Sequence, residues 1–112
     1  METTTKNIFN DIIELSDLEK QKTYWLGKDP NHVSSYVELM CRLFDDDNFD
    51  DFVDNTASQI GFSKKAILEL IKLRELLNNY KEKETDREII EDSEWKKIAI
   101  QAKVVIENWD NV

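Results

Sequence analysis

Six of the ten residues in the run DDDNFDDFVD are aspartates: Asp45, Asp46, Asp47, Asp50, Asp51 and Asp54, with no basic residue among them. Carboxylates at this density could hold a hard cation, meet a basic surface, or stabilise helix starts. The cation reading can be tested against the calcium loop, which needs alternating oxygen ligands, a Gly at its sixth position and a Glu at its twelfth. Counted from Asp46, those two positions hold Asp51 and Ala57. Counted from Asp45, the fifth position holds Phe49 and the loop ends on Thr56. Neither register works, so no metal is assigned, and weak nonspecific cation association is the most the run supports. The remaining readings are a protein interface and a capped, solvated segment. In the first, Phe49 and Phe52 anchor the run in the core while Asp46, Asp47, Asp50, Asp51 and Asp54 offer acceptors to Lys and Arg of a partner. Helix capping also favours aspartates, because the first N–H groups of a helix lack partners. Six carboxylates exceed that need, and their mutual repulsion counts against a purely structural purpose.

Catalytic chemistry has little to work with. His32 is the only histidine and Cys41 the only thiol. A Cys–His dyad would also need an orienting third group and an oxyanion site, and Cys41 falls in an apolar run, where a small buried hydrophobe is expected. The chain has no glycine-rich phosphate loop, no HExxH, no CxxC and no paired histidines for zinc. No enzyme and no cofactor is expected. The group Tyr24, Trp25, Lys28, His32 and Tyr36 beside a loop could form a binding surface, but Trp and Tyr at helix ends are expected to close the core, as are Trp95 and Trp109 in helical register.

Composition sets the frame for these residues. The 112-residue chain has the length of one domain with one core. Its apolar share of 40%, with three Trp, five Phe and three Tyr, fills that core and argues against a wholly disordered chain. Two Gly and one Pro are too few for a hairpin-rich fold. One cysteine allows no internal disulfide, and neither a secretory signal nor a membrane-spanning apolar stretch is evident, so a cytoplasmic location is expected. A net charge of −9 repels nucleic acid and anionic membranes and attracts basic protein surfaces.

Periodicity predicts an all-α fold, a compact bundle of four to six helices in a single domain over residues 1–112. Ile8, Ile12 and Leu15, broadened by Phe9, Ile13 and Leu18, predict one long helix from Lys6 to Leu26, although Ser16 with Glu19 resembles a capping box. Gly27 and Pro30 stop it. After the loop Lys28 to Ser34, Ser35 with Glu38 caps a helix to about Phe44, burying Tyr36, Leu39, Met40 and Leu43. Any of Asp45, Asp46, Asp47 and Asn48 could cap a short third helix carrying Phe49, Phe52, Val53 and Ile60, closed by Gly61. Ser63 caps a helix whose buried face is Ala66, Ile67, Leu70, Leu73, Leu77 and Tyr80. Beyond the polar connection Lys81 to Thr85, Thr85 with Glu88 forms another capping box. Ile89, Trp95, Ile98, Ala102, Val105 and Trp109 then follow near a seven-residue repeat, with Asp92 and Ser93 as a possible interruption.

The stretch SSYVELMCRLFDDDNFDDFVDN, Ser34 to Asn55, resembles small acidic bacterial immunity proteins of contact-dependent and polymorphic toxin systems. The likeness is one of general character, acidic and helical with a Leu-Phe-Asp-Asp junction, over about a fifth of the chain. It implies a tight, stoichiometric cytoplasmic inhibitor of a toxin, commonly a basic nuclease whose phosphate-binding cleft is covered by carboxylates. The expected partner is a protein with a basic surface, and the expected partner-binding residues are Asp45, Asp46, Asp47, Asp50, Asp51 and Asp54, with Glu38 and Asp29 beside them. The alternative is a regulatory adaptor or homo-oligomeric module that docks through exposed apolar surface.

Overall fold

The computed structural model describes residues 2–109. As the scarcity of Gly and Pro requires, helices dominate and the fold is all-α. We number them α1 (Glu2–Ser16), α2 (Leu18–Trp25), α3 (36–46), α4 (49–59), α5 (Lys64–Asn79), α6 (Asp86–Glu91) and α7 (Ser93–Glu107). The last of these is the hub: α7 packs against α1 on one side and α5 on the other. The predicted stripes supply one shared core, in which Ile8, Ile12, Leu15, Leu39, Leu43, Leu70, Leu73 and Trp95 are fully buried. No helix among the described residues is long and apolar enough to cross a membrane.

The helix expected from Lys6 to Leu26 is divided at Asp17, and Gln21 explains how the break is held. Asp17, in an extended conformation, accepts a hydrogen bond from the Lys20 N–H and starts α2. The fully buried Gln21 side chain then turns back: its Nε2 donates to the carbonyls of Glu14 at 2.8 Å and Leu15 at 3.0 Å. Those are end-of-helix carbonyls that α1 itself leaves unpartnered. Its Oε1 accepts from the Trp95 indole N–H at 2.8 Å. One amide thus joins α1, α2 and α7. Around it Trp25, Tyr36 and Tyr80 lean on Trp95, with ring centroids 6.0, 5.4 and 5.1 Å away. Trp25 and Tyr36 therefore serve the core, as expected of aromatics at helix ends. A second aromatic group gathers Phe9, Phe52 and Phe62 on Trp109.

The interruption at Asp92 is also real. Its carboxylate caps α7 by accepting from the Glu94 N–H and accepts a hydrogen bond from the Tyr80 hydroxyl at 2.8 Å, tying the end of α5 to the α6–α7 junction. These two polar breaks, at Asp17 and Asp92, raise the number of helices among the described residues to seven. Ser35, Ser63 and Thr85 cap α3, α5 and α6 as their capping signals predict.

The aspartate run has a local geometry that its sequence does not announce. In α3 the regular turns of Tyr36–Met40 widen into a π-helical segment, Cys41–Asp46, and α4 contains a second one, Phe52–Thr56. Between them Asn48 takes the left-handed conformation, φ 49°, and accepts from the Asp51 N–H. Asn tolerates that region better than other non-glycine residues. The aspartates therefore flank the left-handed corner at Asn48, on the helix end before it and the first turns of the helix after it, and Phe49 and Phe52 pin the run to the core.

Candidate functional site

The eight expected partner-binding residues do not form one face. Asp50 and Asp54 are turned to α5, where the Arg74 Nη1 lies 2.8 Å from Asp54 and 3.6 Å from Asp50. Asp51 accepts from the Asn55 side-chain amide at 2.8 Å and, with Asp46 and Asp47, borders a small depression that also holds Thr4 and Thr56. Asp45 and Glu38 are exposed on α3 without an ion-pair partner among the described residues. Asp29, in the loop after α2, accepts from the Asn31 N–H and contacts His32 Nδ1 at 2.9 Å; these two bonds hold its carboxyl below the usual range. His32 also stacks on Tyr24, so Asp29 is committed locally.

What α3 does bring together is a mixed stripe. Val37, Cys41 and Asp45 follow at intervals of four residues, and all three are exposed. Four residues nearly close one turn of α-helix, and the wider π turn counteracts the drift between Cys41 and Asp45. Glu38 and Asp46, also exposed, border the stripe. Val37 is 59% exposed, and Val33 in the preceding loop 72%. The expectation that Cys41 is a buried hydrophobe is thus corrected: it is exposed, because Leu39 and Leu43 take the inward positions of this helix. Its thiol makes no hydrogen bond among the described residues, and the His32 ring is spent on Asp29 and Tyr24, so the thiol and the imidazole do not form a dyad.

Beside this stripe lies a charged cluster that sequence reasoning missed. The Arg42 guanidinium, in the row of α3 that also carries Glu38 and Asp46, reaches α1 and the loop before α3: Nε donates to Asp11 Oδ1 at 3.2 Å, Nη2 to Glu14 Oε1 at 3.0 Å and Nη1 to the Ser34 hydroxyl at 3.4 Å. The other oxygen of Glu14 accepts from the Trp25 indole N–H and the Ser34 hydroxyl. Glu14 is therefore fully engaged. Asp11 is not: only 6% of the residue is exposed, and its Oδ2 is buried with no donor among the described residues. Burial drives the Asp11 carboxyl from 3.8 up to about 7, against the pull of Arg42 and with a further push from the Asp47 carboxyl facing it. Asn7, Asn10, Asp11, Arg42, Asp46 and Asp47 line a cleft of about 260 Å³ between α1 and the end of α3. The available signal was positional. Asp11 stands three residues after Ile8 and four before Leu15, on the buried stripe of α1 rather than its solvent face.

The same signal marks Glu69, between Ala66 and Leu73 on the inner face of α5. It is buried beneath Gln101, Lys65 and Lys72. The Gln101 amide first, then Lys65, hold its carboxyl down at about 2. Every acceptor there has a donor, and the arrangement reads as a clamp between α5 and α7. Among the described residues no group of carboxylates, histidines and cysteines is arranged to hold a metal ion. No protein-family profile, curated protein or solved structure matches the chain.

Proposed function

We propose that this protein is a non-enzymatic binding protein of the immunity or antitoxin type, which covers a basic surface of a cognate toxin with the outer stripe of α3. The observation that carries the reading is the composition of that stripe: exposed apolar Val37 and Cys41 bordered by Glu38, Asp45 and Asp46. Interfaces that hold tightly combine an apolar centre with a charged rim that steers the encounter. Of the original aspartates, Asp45, Asp46 and Asp47 remain the interface candidates. Asp50 and Asp54 are balanced by Arg74 and contribute mainly to the long-range field. The resemblance of Ser34 to Asn55 to small acidic immunity proteins supports the class of partner, and the net charge of −9 supports its sign.

The test is protection. Cells producing the toxic segment of a secreted protein encoded beside this gene are expected to survive with the wild-type chain and to die with the Glu38→Lys/Asp45→Lys variant, at unchanged melting temperature. Equal survival with both chains removes the stripe from the interface. A second reading rests on Leu68 and Leu76, exposed eight residues apart on α5, which suit docking on another helix, including that of a second copy. Sedimentation at increasing concentration, at low and at physiological ionic strength, separates the two readings, because apolar self-docking hardly responds to salt, whereas charge-led binding weakens with it.

A further inference from the structure

We infer that the cleft between α1 and the end of α3 receives the cationic head of one Arg or Lys side chain of the partner, with Asp11 Oδ2 as its central acceptor and Asp46 and Asp47 beside it. The inference rests on the reading of a basic partner for the source of that side chain, and on the cleft itself for the chemistry.

The Arg42 guanidinium meets the carboxylates of Asp11 and Glu14, with a bond from each of its three nitrogens to Asp11, Glu14 or Ser34, while the carboxylates of Asp46 and Asp47 line the same cleft. One guanidinium charge does not balance four carboxyl groups. Asp11 Oδ2 is buried and without a donor, a condition that a folded protein rarely leaves in place. The neighbouring Asp47 carboxylate is itself an acceptor and offers Asp11 Oδ2 no donor. The side-chain amides of Asn7 and Asn10 on the rim add neutral acceptors. A group with several N–H donors and one positive charge satisfies all of this. Calcium or magnesium does not: each takes six or more oxygen ligands, no convergence of carboxylates able to hold a metal is present among the described residues, and the Arg42 charge stands in the way. The elevated proton affinity of Asp11 fits the same account, since a proton is the smallest cation able to occupy the position.

The experiment uses the full chain, labelled with nitrogen-15, at pH 8 and constant ionic strength, followed through the side-chain amide signals of Asn7 and Asn10. Methylguanidinium is expected to shift them saturably, in roughly the millimolar range for so small a ligand. Asp11→Asn should weaken that response at least tenfold, and lowering the pH to 6 should weaken it about tenfold, because the cation must then displace a proton. Should Asp11→Asn not fold, Asp47→Asn carries the same comparison. Equal shifts with tetramethylammonium, which has the charge but no N–H, would reduce the effect to screening and overturn the inference. An unchanged titration in the variants overturns it too, as does calcium filling the cleft at lower concentration than methylguanidinium. Because Val37 and Asp45 lie outside the cleft, failure here leaves the protection test of the α3 stripe standing, and the two failures can be told apart.

Discussion

Replacing Asp11 by Asn should make the protein more stable at neutral and alkaline pH, with a pH dependence that identifies the cause. The ordinary value of this carboxyl is 3.8 and its folded value about 7, chiefly because it is buried. The folded state therefore holds a proton that the unfolded chain releases above pH 4. Such a raised group contributes stability that is complete below the unfolded value and is lost as pH rises through the folded one. Each unit of difference corresponds to about 1.36 kcal/mol, so between pH 4.5 and pH 8 the wild type should lose up to about 3 kcal/mol that the variant does not. Water entering from the cleft lowers this to about 2 kcal/mol as a working value. Asn keeps the acceptor for Arg42 Nε and gives up part of the charge attraction, a loss that varies little across this range. Urea unfolding of both proteins at half-unit steps from pH 4.5 to 8 reads the difference directly. A difference that stays constant, or that favours the wild type increasingly as pH rises, would refute the assignment of a proton to the Asp11 position.

Gln21→Leu removes the acceptor of the Trp95 indole and the donor to two α1 carbonyls in a fully buried place, and should cost about 3 kcal/mol in chemical denaturation. Tyr80→Phe breaks the bond to Asp92, whose carboxyl this hydroxyl holds low, and should cost about 1 kcal/mol while leaving helix content by circular dichroism unchanged. Glu69→Gln should flatten the acid limb of stability: a lowered carboxyl contributes above 4.5 and loses its contribution as pH falls toward about 2, which thermal melts between pH 5 and 2 will show. Asp50→Asn/Asp54→Asn, at the two carboxylates held by Arg74, should change the affinity for a basic partner less than threefold in a direct binding titration, since such exposed pairs are weak and already matched.

Local signals in the sequence were reliable because their causes are local. Ser35 and Thr85 cap their helices through bonds that span three residues, and Leu39, Leu43, Phe49 and Phe52 are inward because their spacing allows nothing else. Helix length was less legible. The apolar stripe of α1 continues into α2, and only the return of Gln21, whose partner Trp95 lies 74 positions away, makes the break at Asp17 stable. The candidate site divides along the same line. That the aspartate segment projects charge could be read directly, but that Arg74 balances Asp50 and Asp54 could not, because the pairing depends on how α4 meets α5. Arg42 and Asp11 are 31 residues apart, and the π turn that carries Arg42 has no established sequence signature. Asp11 and Glu69 offered a fainter cue, a carboxylate on a helical stripe otherwise reserved for Ile, Leu and Ala.

The interface assignment meets its most direct test in a binding titration of the toxic segment against three chains: wild type, Glu38→Lys/Asp45→Lys and Asp50→Asn/Asp54→Asn, at low and at physiological ionic strength. The α3 stripe as the docking face predicts a loss of at least about a hundredfold for the first variant, on the scale of one or two reversed interfacial charges. It predicts little change for the second, and weaker wild-type binding in salt. Wild-type affinity in the Glu38→Lys/Asp45→Lys chain, at both salt concentrations, would contradict it.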